Sequence, residues 1–360
     1  MQPHDMQLPR IAIVGWSVEG LGGQSAQAHA LFRQLQEEGY AVSFIPMEPR
    51  LPSGLQWVRR YPYVRTLLNQ LLYLPSLLRL RPAEVMHVFS ASYWSFLLSP
   101  LPAIIAGRMM GKRIVLHYHS GQAEDHLARW GMLVHPWLRL VDEIVVPSEY
   151  LRRIFARHGY RARVIPNTVD TSRFRYRERA PLRPRLLSTR NFERHYRVDV
   201  TLEAFALLKA QFPDATLTVA GHGSQEGELR RLAGSLGTSG IRFLGAVRPP
   251  AVPGLYDEAD IFVNSSVVDN QPVSVLEAFA SGLPVVSTST GDLASLVRDG
   301  ETGLVVPSGD PAATAKAIAT LIEHPDRALL MAQRAKREVE QYTWPRVHEK
   351  WATVYADRAE

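Results

Sequence analysis

The sequence predicts an α/β protein built from two Rossmann-like domains, each a doubly wound parallel sheet covered by helices on both faces. Short, almost continuously apolar strands alternate with longer helical segments along the whole chain, and that pattern is typical of a buried parallel sheet. The alternation falters once, near the middle, in a charged stretch that contains two prolines. With 360 residues, the chain is long enough for two domains of ordinary size.

The first series of strands fills the N-terminal half of the chain. Its opening strand is followed by a helix, predicted over residues 22–39, and the pattern then repeats. The strands predicted in this half are RIAIVGW at 10–16, AVSFIPM at 41–47, EVMHVFS at 84–90, RIVLHYH at 113–119 and EIVVPS at 143–148. They define an N-terminal domain over residues 1–170.

A second series of strands follows a predicted linker at residues 171–184. The strands of this series are RLLSTR at 185–190, TLTVAG at 216–221, IRFLGAV at 241–247, IFVNSS at 261–266, PVVST at 284–288 and TGLVVP at 302–307. They define a C-terminal domain over residues 185–342. Two such domains are expected to face each other across a central cleft, at the carboxyl ends of both sheets, where these folds bind ligands.

The last segment, residues 343–360, is aromatic and helical. We expect it to cross back and pack on the N-terminal domain. The alternative is a helix that completes the second domain.

Charge is unevenly distributed along the chain. Residues 1–180 contain 22 Lys and Arg against 13 Asp and Glu, a net of +9, whereas the remainder has a net of −3. The basic half favours an acidic partner such as a membrane surface or an anionic acceptor. Its arginines are not interleaved with a recognisable nucleic-acid module, so no nucleic-acid partner is expected.

The composition also predicts a location. The absence of cysteine excludes disulfides and thiolate metal sites, and fits a reducing compartment. The polar N-terminus predicts no signal peptide, and no run of about 18 apolar residues lacks charge or proline, so no membrane span is predicted. We therefore expect a cytoplasmic protein, with the inner face of the membrane as a further place of contact.

One helical segment, residues 61–82, bears on that contact. It is apolar, with a polar line through Arg65, Asn69, Ser76 and Arg79. Such a helix either rests on a membrane surface near a lipid-linked acceptor or packs as an ordinary helix on the sheet.

Two acids, Asp269 and Glu277, stand eight positions apart around the start of a predicted helix. Pro272 suits the first turn, since its missing N–H would have no partner there, and Gly282 can close the helix. The loop and first turn supply Asn270 and the amides of Val273, Ser274 and Val275. Free amides and the helix dipole at this end predict a bound anion flanked by the two acids.

Glycines and histidines mark the N-terminal domain. Gly22 and Gly23 open the first helix, where backbone amides can approach an anion closely. The G-x-G-x-x-G motif is missing after the first strand, so a dinucleotide-dependent dehydrogenase is not expected. At the end of the fourth strand, His117 and His119 share a face, with no third ligand at metal spacing. His119 is expected to hydrogen-bond a substrate hydroxyl. The alternative is a polar strand end satisfied by its own loop.

The loop after the first strand of the second domain is rich in cations, namely Arg190, Arg194, His195 and Arg197. A pyrophosphate needs cations or oriented amides around it. No D-x-D motif is present to hold a divalent metal, so the arginines are the candidates and no metal is expected. Gly221 and Val247 lie at the ends of two further strands, where backbone groups can contact a nucleotide.

These residues fall within blocks that together carry a family resemblance. The blocks are VPSEYLRRIF, VIPNTVDTSRF, VAGHGSQEGELRRLAGSLGTSGIRFLGAV, LYDEADIFVNSS and LEAFASGLPVVST. The chain resembles the family 4 glycosyltransferases, over nearly its full length and most strongly in the second domain. The resemblance implies the GT-B fold and transfer of a sugar from a nucleotide donor, with retention of configuration and without a required metal.

The resemblance also implies roles for single residues. The family's E-x7-E pattern occurs here as D-x7-E, so Glu277 would bind the donor's ribose hydroxyls and Asp269 would face the transferring sugar. The first-turn amides would hold sugar hydroxyls or phosphate. His119 aligns with a histidine that contacts the donor sugar, and Gly22 and Gly23 match a glycine loop.

The family's phosphate-binding Arg and Lys align with Asn191 and Tyr196. Arg190, with Arg194 or Arg197, is expected to replace them.

The expected function is transfer of a hexosyl unit from a UDP- or GDP-sugar to a hydroxyl of a glycan, a polysaccharide precursor or a glycolipid, with no cofactor besides the donor. The alternative, motivated by Asn191 and Tyr196, is a GT-B protein that binds a nucleotide or glycan and has lost activity.

Overall fold

The computed structural model describes residues 8–17, 22–49, 51, 54, 57–58 and 61–356. Residues 1–7, over which no signal peptide is predicted, lie outside the described residues, as do residues 357–360 of the tail. The chain divides into two compact units. The first unit comprises residues 1–165 together with 348–360, and the second unit comprises residues 166–347.

The first unit contains a six-stranded sheet with every pair parallel, in the order β2-β1-β3-β4-β5-β6. Its strands are β1 Ile11–Gly15, β2 Val42–Pro46, β3 Val85–Ser90, β4 Arg113–Tyr118, β5 Glu143–Val146 and β6 Arg163–Val164. The five strands predicted in this half are all present. The two-residue β6 was missed, because it has no apolar run long enough to predict a strand.

The helices of the first unit connect these strands. They are α1 Gly23–Glu37, α2 Pro62–Ser76, α3 Trp94–Leu98, α4 Pro100–Met109, α5 Ala123–Arg129, α6 Gly131–Leu138 and α7 Glu149–Arg157. A 3₁₀ turn at Leu77–Leu80 extends α2.

The second unit contains another six-stranded parallel sheet, in the order β12-β11-β10-β7-β8-β9. Its strands are β7 Arg185–Ser188, β8 Thr216–Ala220, β9 Ile241–Gly245, β10 Ile261–Asn264, β11 Val285–Thr288 and β12 Leu304–Val306. All six correspond to predicted strands. The order reverses between β7 and β10, and ligands of doubly wound sheets bind beside the carboxyl ends at such a point.

The helices of the second unit cover both faces of this sheet. They are α8 Val198–Gln211, α9 Glu226–Ser235, α10 Val252–Glu258, α11 Val273–Ser281, α12 Leu293–Leu296, α13 Pro311–Glu323 and α14 Pro325–Val339. Two separate apolar clusters form the core. The predicted doubly wound α/β architecture is therefore confirmed in both units.

Residues 171–184, predicted to be a linker, group with the second unit. Arg177 and Arg183 both bind the carboxylate of Asp260, at 3.1 and 3.0 Å, and Asp260 is fully buried. Arg179 donates to the carbonyl oxygen of Tyr256 at 2.8 Å. The charged residues that suggested a linker therefore attach this segment to the second unit. The predicted domain limits themselves stay a prediction.

The last helix, α15 Trp344–Ala356, runs from the second unit's residues into those of the first. Within the first unit, Trp351 and Tyr355 are buried, and the Tyr355 hydroxyl lies 2.8 Å from His87 Nδ1 on β3. No helix in the described part of the chain is both long and apolar enough to span a bilayer.

Candidate functional site

Polar side chains of the second unit collect beyond the carboxyl ends of β7, β8 and β10. Arg190 lies two residues beyond β7, Gly221 directly follows β8, and Asp269 lies in the loop after β10. Parallel strands present their carboxyl ends at one edge of the sheet, so residues far apart in sequence converge there. This edge, with the N-terminal end of α11, is called the second-unit site below.

Arg190 occupies the centre of the second-unit site. Its guanidinium donates to Asp269 Oδ2 at 2.5 Å and to Ser274 Oγ at 2.9 Å. The ring of Tyr196 lies against it, with Cζ 4.2 Å from the ring centroid. Arg190 is only 8% exposed, and its buried Nε has no hydrogen-bond partner. A fixed, desolvated cation with a spare donor is suited to an anionic ligand.

Asp269 is held by the backbone as well as by Arg190. Its Oδ1 accepts a hydrogen bond from the Asn270 amide at 2.9 Å. The main chain at Gly291 passes so close that a Cβ there would lie 1.9 Å from the Asp269 carbonyl oxygen. Gly291 has φ +61°, a conformation that glycine adopts without strain. The acid predicted to face a sugar therefore also forms a buried ion pair, which the sequence did not suggest.

The helix predicted after Asp269 is α11. Pro272 was predicted to lie in the first turn, but it immediately precedes the helix in an extended conformation. Gly282 ends the helix, with φ 76°. The Val275 amide donates to the Pro272 carbonyl at 3.1 Å. That amide is thus not available to a ligand, contrary to the prediction. The amides of Val273 and Ser274 precede the first intrahelical bond and have no partner within the helix.

Glu277 lies one and a half turns further along α11, as predicted. Its Oε2 accepts a hydrogen bond from the Tyr256 hydroxyl at 2.7 Å, and Thr189 Oγ1 lies 2.7 Å from the same hydroxyl. Burial raises the pKa of Glu277 to about 7, although the hydrogen bond from Tyr256 and the charges of Arg173 and Arg190 oppose this shift. Glu277 therefore changes charge near neutral pH.

Tyr256 and Thr189 were not predicted as site residues. Tyr256 is fully buried and belongs to the quoted block LYDEADIFVNSS. The block contributed to the family resemblance, but nothing in it predicted that the Tyr256 hydroxyl forms a hydrogen bond with a residue of α11.

Two loops of the second-unit site are attached to each other by backbone contacts. A Cβ on Gly221 would lie 2.1 Å from the Arg190 carbonyl oxygen, and one on Gly223 would lie 2.5 Å from that of Phe192. The Phe192 amide donates to the His222 carbonyl at 2.8 Å. Glycine at position 221 is thus required for the close approach that places Arg190.

The remaining predicted residues of this site are less central. Arg194 is exposed, and Asn191 and Val247 are partly exposed. Asn270 is buried beside Asp269. Arg197 pairs with Asp199 at 2.9 Å. Of the arginines expected to replace the family's cations, Arg190 is the one held in contact with Asp269 and Ser274.

The first unit presents a different arrangement at the carboxyl ends of its strands. His119 directly follows β4, and His117 precedes it by two residues on the same face, with ring centroids 4.1 Å apart. A third histidine, His87 on β3, was not predicted to join them. The parallel register pairs Phe89 with His117, so His87 lies on the same face of the sheet, and its Nε2 is 3.2 Å from His117 Nδ1.

Burial keeps these histidines neutral. It lowers the pKa of His87 and of His119 to about 3, and that of His117 well below its usual value. The Nε2 atoms of His117 and His119 are buried and have no hydrogen-bond partner. The prediction of a histidine that binds a substrate hydroxyl stays a prediction.

The hydrogen bonds favour one arrangement of protons in this cluster. Tyr355 donates to His87 Nδ1, because the alternative leaves the buried tyrosine proton without an acceptor. His87 Nε2 then donates to His117 Nδ1, and the neutral His117 must carry its proton on Nε2. His117 Nε2 is therefore a donor.

The glycine loop lies partly outside the described residues, which resume at Gly22. Gly22 and Gly23 are exposed at the start of α1, and a Cβ on Gly23 would contact nothing within 4 Å. In the described part of the chain, no group of three or more His, Asp or Glu residues is arranged to hold a metal ion.

Two family models match the chain, one in each half. The model for Glycosyltransferase Family 4 matches residues 21–173, and the model for glycosyl transferases group 1 matches residues 183–324. The two halves of the chain therefore match a family 4 and a group 1 glycosyltransferase model, respectively. The family resemblance read from the sequence is thereby confirmed.

Curated relatives support the same family. A D-inositol 3-phosphate glycosyltransferase from Corynebacterium urealyticum is 32% identical over 164 residues, 43% of this chain and 39% of that protein. A phosphatidyl-myo-inositol mannosyltransferase from Mycobacterium leprae is 28% identical over 265 residues, 71% of this chain and 70% of that protein. The matches to three such inositol-phosphate enzymes span between 35% and 49% of their length.

Solved structures share the fold at low sequence identity. Anabaena Alr3699/HepE in complex with UDP and glucose superimposes with a TM-score of 0.74 at 16% identity, over 97% of this chain and 100% of that one. Sucrose-phosphate synthase from Thermosynechococcus elongatus has a TM-score of 0.75 at 19% identity, over 96% of this chain and 98% of that one. The predicted GT-B fold is therefore confirmed.

Proposed function

We propose that this protein transfers a hexosyl unit from a nucleoside diphosphate sugar to a hydroxyl acceptor, with retention of configuration. The observation that carries the proposal is the buried Arg190 guanidinium beside the start of α11, with Nε unpartnered and Asp269 and Ser274 as its fixed partners. Complexes of Alr3699/HepE with UDP and with UDP-glucose support a UDP-sugar as the first donor to test.

The second-unit site supplies what a departing diphosphate requires. Negative charge develops on the leaving phosphate oxygens, and preorganised donors stabilise that charge without reorganising. Arg190 and the amides of Val273 and Ser274 are such donors. Arg190 takes over the role that the family assigns to cations at Asn191 and Tyr196, and the Tyr196 ring keeps its guanidinium in place.

Glu277 would hold the ribose. A carboxylate accepts hydrogen bonds from two adjacent hydroxyls, and the Tyr256 hydroxyl orients Oε2. Asp269 would face the transferring sugar while its other contacts hold the loop. His119 would donate to a hydroxyl of the donor sugar from the first unit. No protein nucleophile is assigned, because same-face attack uses the departing phosphate oxygen as the base for the acceptor.

The acceptor is proposed to be a glycan or a lipid-linked hydroxyl, and the place of action the cytoplasm, at the inner face of the membrane. The mannosyltransferase relative acts, by its name, on phosphatidyl-myo-inositol. No metal is proposed to take part in the reaction.

Ligand-induced stabilisation tests the donor proposal. UDP, GDP, ADP, TDP and their sugars are compared by thermal shift, with and without EDTA. Ligand at a hundred times its dissociation constant stabilises a fold by about 2.7 kcal/mol. A shift with one nucleotide that survives EDTA is expected. No shift with any of them would instead favour the binding protein that has lost its donor site.

Retention is tested on the product. The donor that stabilises the protein is incubated with hydroxyl acceptors, and the anomeric configuration is read by NMR coupling constants. The product is expected to keep the donor's configuration. An inverted product would refute same-face attack, and donor binding without any turnover would favour the inactive alternative.

A further inference from the structure

The first unit exposes far more apolar surface than the second. Fifteen large hydrophobic side chains are exposed among the described residues, and only Leu207 and Leu330 belong to the second unit. Six of the others lie on α2 and the turn that extends it. The α2 stripe comprises Tyr63, Val64, Leu67, Leu71, Leu74 and Leu78. Contiguous exposed apolar surface of this kind marks an interaction site.

The stripe forms one face of the helix. At about 100° per residue, its six members fall within an arc of roughly 100°. The face that α2 uses for packing is different, since Tyr73 and Leu77 are fully buried and the Tyr73 hydroxyl donates to the Ser99 carbonyl at 2.8 Å. The helix is thus already attached to the first unit by one face and presents a second apolar face to solvent. Tyr63 is 91% exposed and Leu67 is 63% exposed.

The charge around the stripe identifies its partner. Residues 49–83 contain six arginines and no Asp or Glu. Within the described residues, Arg65, Arg79 and Arg81 are exposed. An apolar face bordered by arginine and free of acids is complementary to an anionic lipid surface, where apolar side chains enter the acyl boundary and cations meet the headgroups.

Aromatic side chains at the start of α2 fit the same partner. Trp57 and Tyr61 are more than half exposed and contact each other edge to face, with centroids 6.2 Å apart. Tryptophan and tyrosine prefer the depth of the lipid headgroups, because their rings are apolar and their N–H and O–H groups remain hydrated. A second copy of the chain fits less well, since a two-fold contact through the stripe would bring like-charged arginines together.

We propose that the α2 stripe, with Trp57, Tyr61 and the bordering arginines, docks the first unit on an anionic lipid surface, with α2 lying parallel to that surface. This docking rests on the membrane location proposed above, but it does not depend on sugar transfer. The sequence allowed either a helix on a membrane surface or a helix packed on the sheet. In the proposed arrangement α2 does both, because it packs on the first unit by one face and contacts lipid with another.

Vesicle co-sedimentation tests this docking with no donor or acceptor present. The full chain is mixed with vesicles of phosphatidylcholine alone and of phosphatidylcholine with phosphatidylglycerol, at low and at high salt. Binding to the anionic vesicles is expected, weakened by salt. Leu71→Glu should reduce it by about tenfold or more, since it places a charge in the acyl boundary. Arg65→Gln should reduce it by roughly fivefold.

Matched controls come from the second unit. Leu207→Glu changes an equally exposed leucine on α8, and Arg231→Gln changes an exposed arginine on α9. Both should bind vesicles as the unaltered protein does. Urea unfolding of the Leu71→Glu protein, followed by the tryptophans that lie mostly in the first unit, should be unchanged, which shows that this unit is folded. Its nucleotide affinity, measured separately, should also be unchanged, which keeps a failure of docking distinct from a failure of the donor site.

Three results would overturn the proposal. The first is that the unaltered protein binds neither kind of vesicle. The second is that Leu207→Glu weakens vesicle binding as much as Leu71→Glu does. The third is that no vesicle binding occurs and sedimentation velocity finds a dimer that Leu71→Glu dissociates. That result would assign the stripe to a second copy of the chain.

Discussion

The two units place opposite chemistry at the carboxyl ends of similar sheets. The second unit has a buried ion pair between Arg190 and Asp269 and an acid, Glu277, that changes charge near neutral pH. The first unit has three buried histidines that are neutral at that pH. A charged diphosphate needs the former, whereas uncharged sugar hydroxyls need donors without a full charge. This difference supports the proposal that the second unit binds the anionic part of a donor.

The units also differ in how their sites are built. The second-unit site depends on glycines at which two stretches of main chain nearly touch, whereas Gly23 of the first-unit loop has open space around it. Main-chain contacts thus hold the loops of the second-unit site together. A further difference is that most of the exposed large hydrophobic side chains among the described residues belong to the first unit.

The largest expected effect on stability comes from adding a side chain where two main-chain segments of the second unit are in contact. Gly221→Ala places a Cβ 2.1 Å from the Arg190 carbonyl oxygen, so we expect a loss of about 3 kcal/mol in the free energy of unfolding. Gly227→Ala in α9 has space around it and should be neutral or stabilising by about 0.5–1 kcal/mol. Gly23→Ala in the first unit should leave the stability unchanged. Urea unfolding measures all three, and equal effects at Gly221 and Gly23 would contradict the comparison.

Removing the cation of the second-unit site should weaken nucleotide binding. Arg190→Ala is expected to raise the dissociation constant of the preferred nucleoside diphosphate by tenfold to about a hundredfold, the equivalent of about 1.5–3 kcal/mol for a charge-assisted hydrogen bond. Isothermal titration calorimetry measures the change. Arg194→Ala is the control, because Arg194 is exposed.

The buried ion pair calls for a second control. Arg190→Ala leaves Asp269 as an unpaired buried charge, which is destabilising in itself. Adding Asp269→Asn should recover stability without recovering nucleotide affinity. Recovery of both would mean that Arg190 acts only on the fold, and unchanged affinity in the Arg190 and Arg194 variants alike would refute the phosphate-binding role.

The neutral histidines predict acid sensitivity of the first unit. In the unfolded chain a histidine binds a proton near pH 6.5, whereas His87 and His119 do so at about 3 in the fold. The unfolded state therefore binds more protons between these values, and the free energy of unfolding falls as the pH drops from 6.5 toward 3. At pH 5 each histidine lowers it by about 2 kcal/mol.

Tryptophan fluorescence during urea unfolding measures this effect, since six of the seven tryptophans lie in the residues of the first unit. His87→Gln should flatten the dependence of stability on pH between 7 and 5. His324→Gln, at an exposed position in the second unit, should leave the slope unchanged. A slope that does not respond to His87→Gln would mean that this histidine is charged in the fold.

The smallest expected effect is a pH dependence of ribose binding. Glu277 has its pKa raised to about 7 by burial and accepts hydroxyl protons only as a carboxylate, so affinity should increase by about tenfold between pH 6 and 8. Comparing a nucleoside diphosphate with its 2′,3′-dideoxy analogue cancels the titration of the phosphate. Glu277→Gln should abolish the difference between the two ligands. Tyr256→Phe removes a hydrogen bond that lowers this pKa and should move the midpoint to higher pH.

Much of the fold could be predicted because its signals are local. Eleven of the twelve strands coincide with apolar runs, and the exception, Arg163–Val164, is too short to have one. Asp269 and Glu277 could be placed around a helix start because proline and glycine mark the ends of α11. The role of Tyr256 could not be predicted, since its hydroxyl meets Glu277 from a helix 21 residues away in sequence.

The sequence by itself determined the alternation of strands and helices, the family resemblance, and the set of polar residues that follow the strands, because these depend on periodicity and on short blocks. Only the tertiary structure decided that Arg190 rather than Arg194 meets Asp269, that His87 joins His117, and which face of α2 remains exposed. Each of these depends on strand register and on packing between distant segments. A shift of one residue in a loop can move a side chain out of a site and expose it to solvent, and no local sequence pattern predicts which of the two occurs.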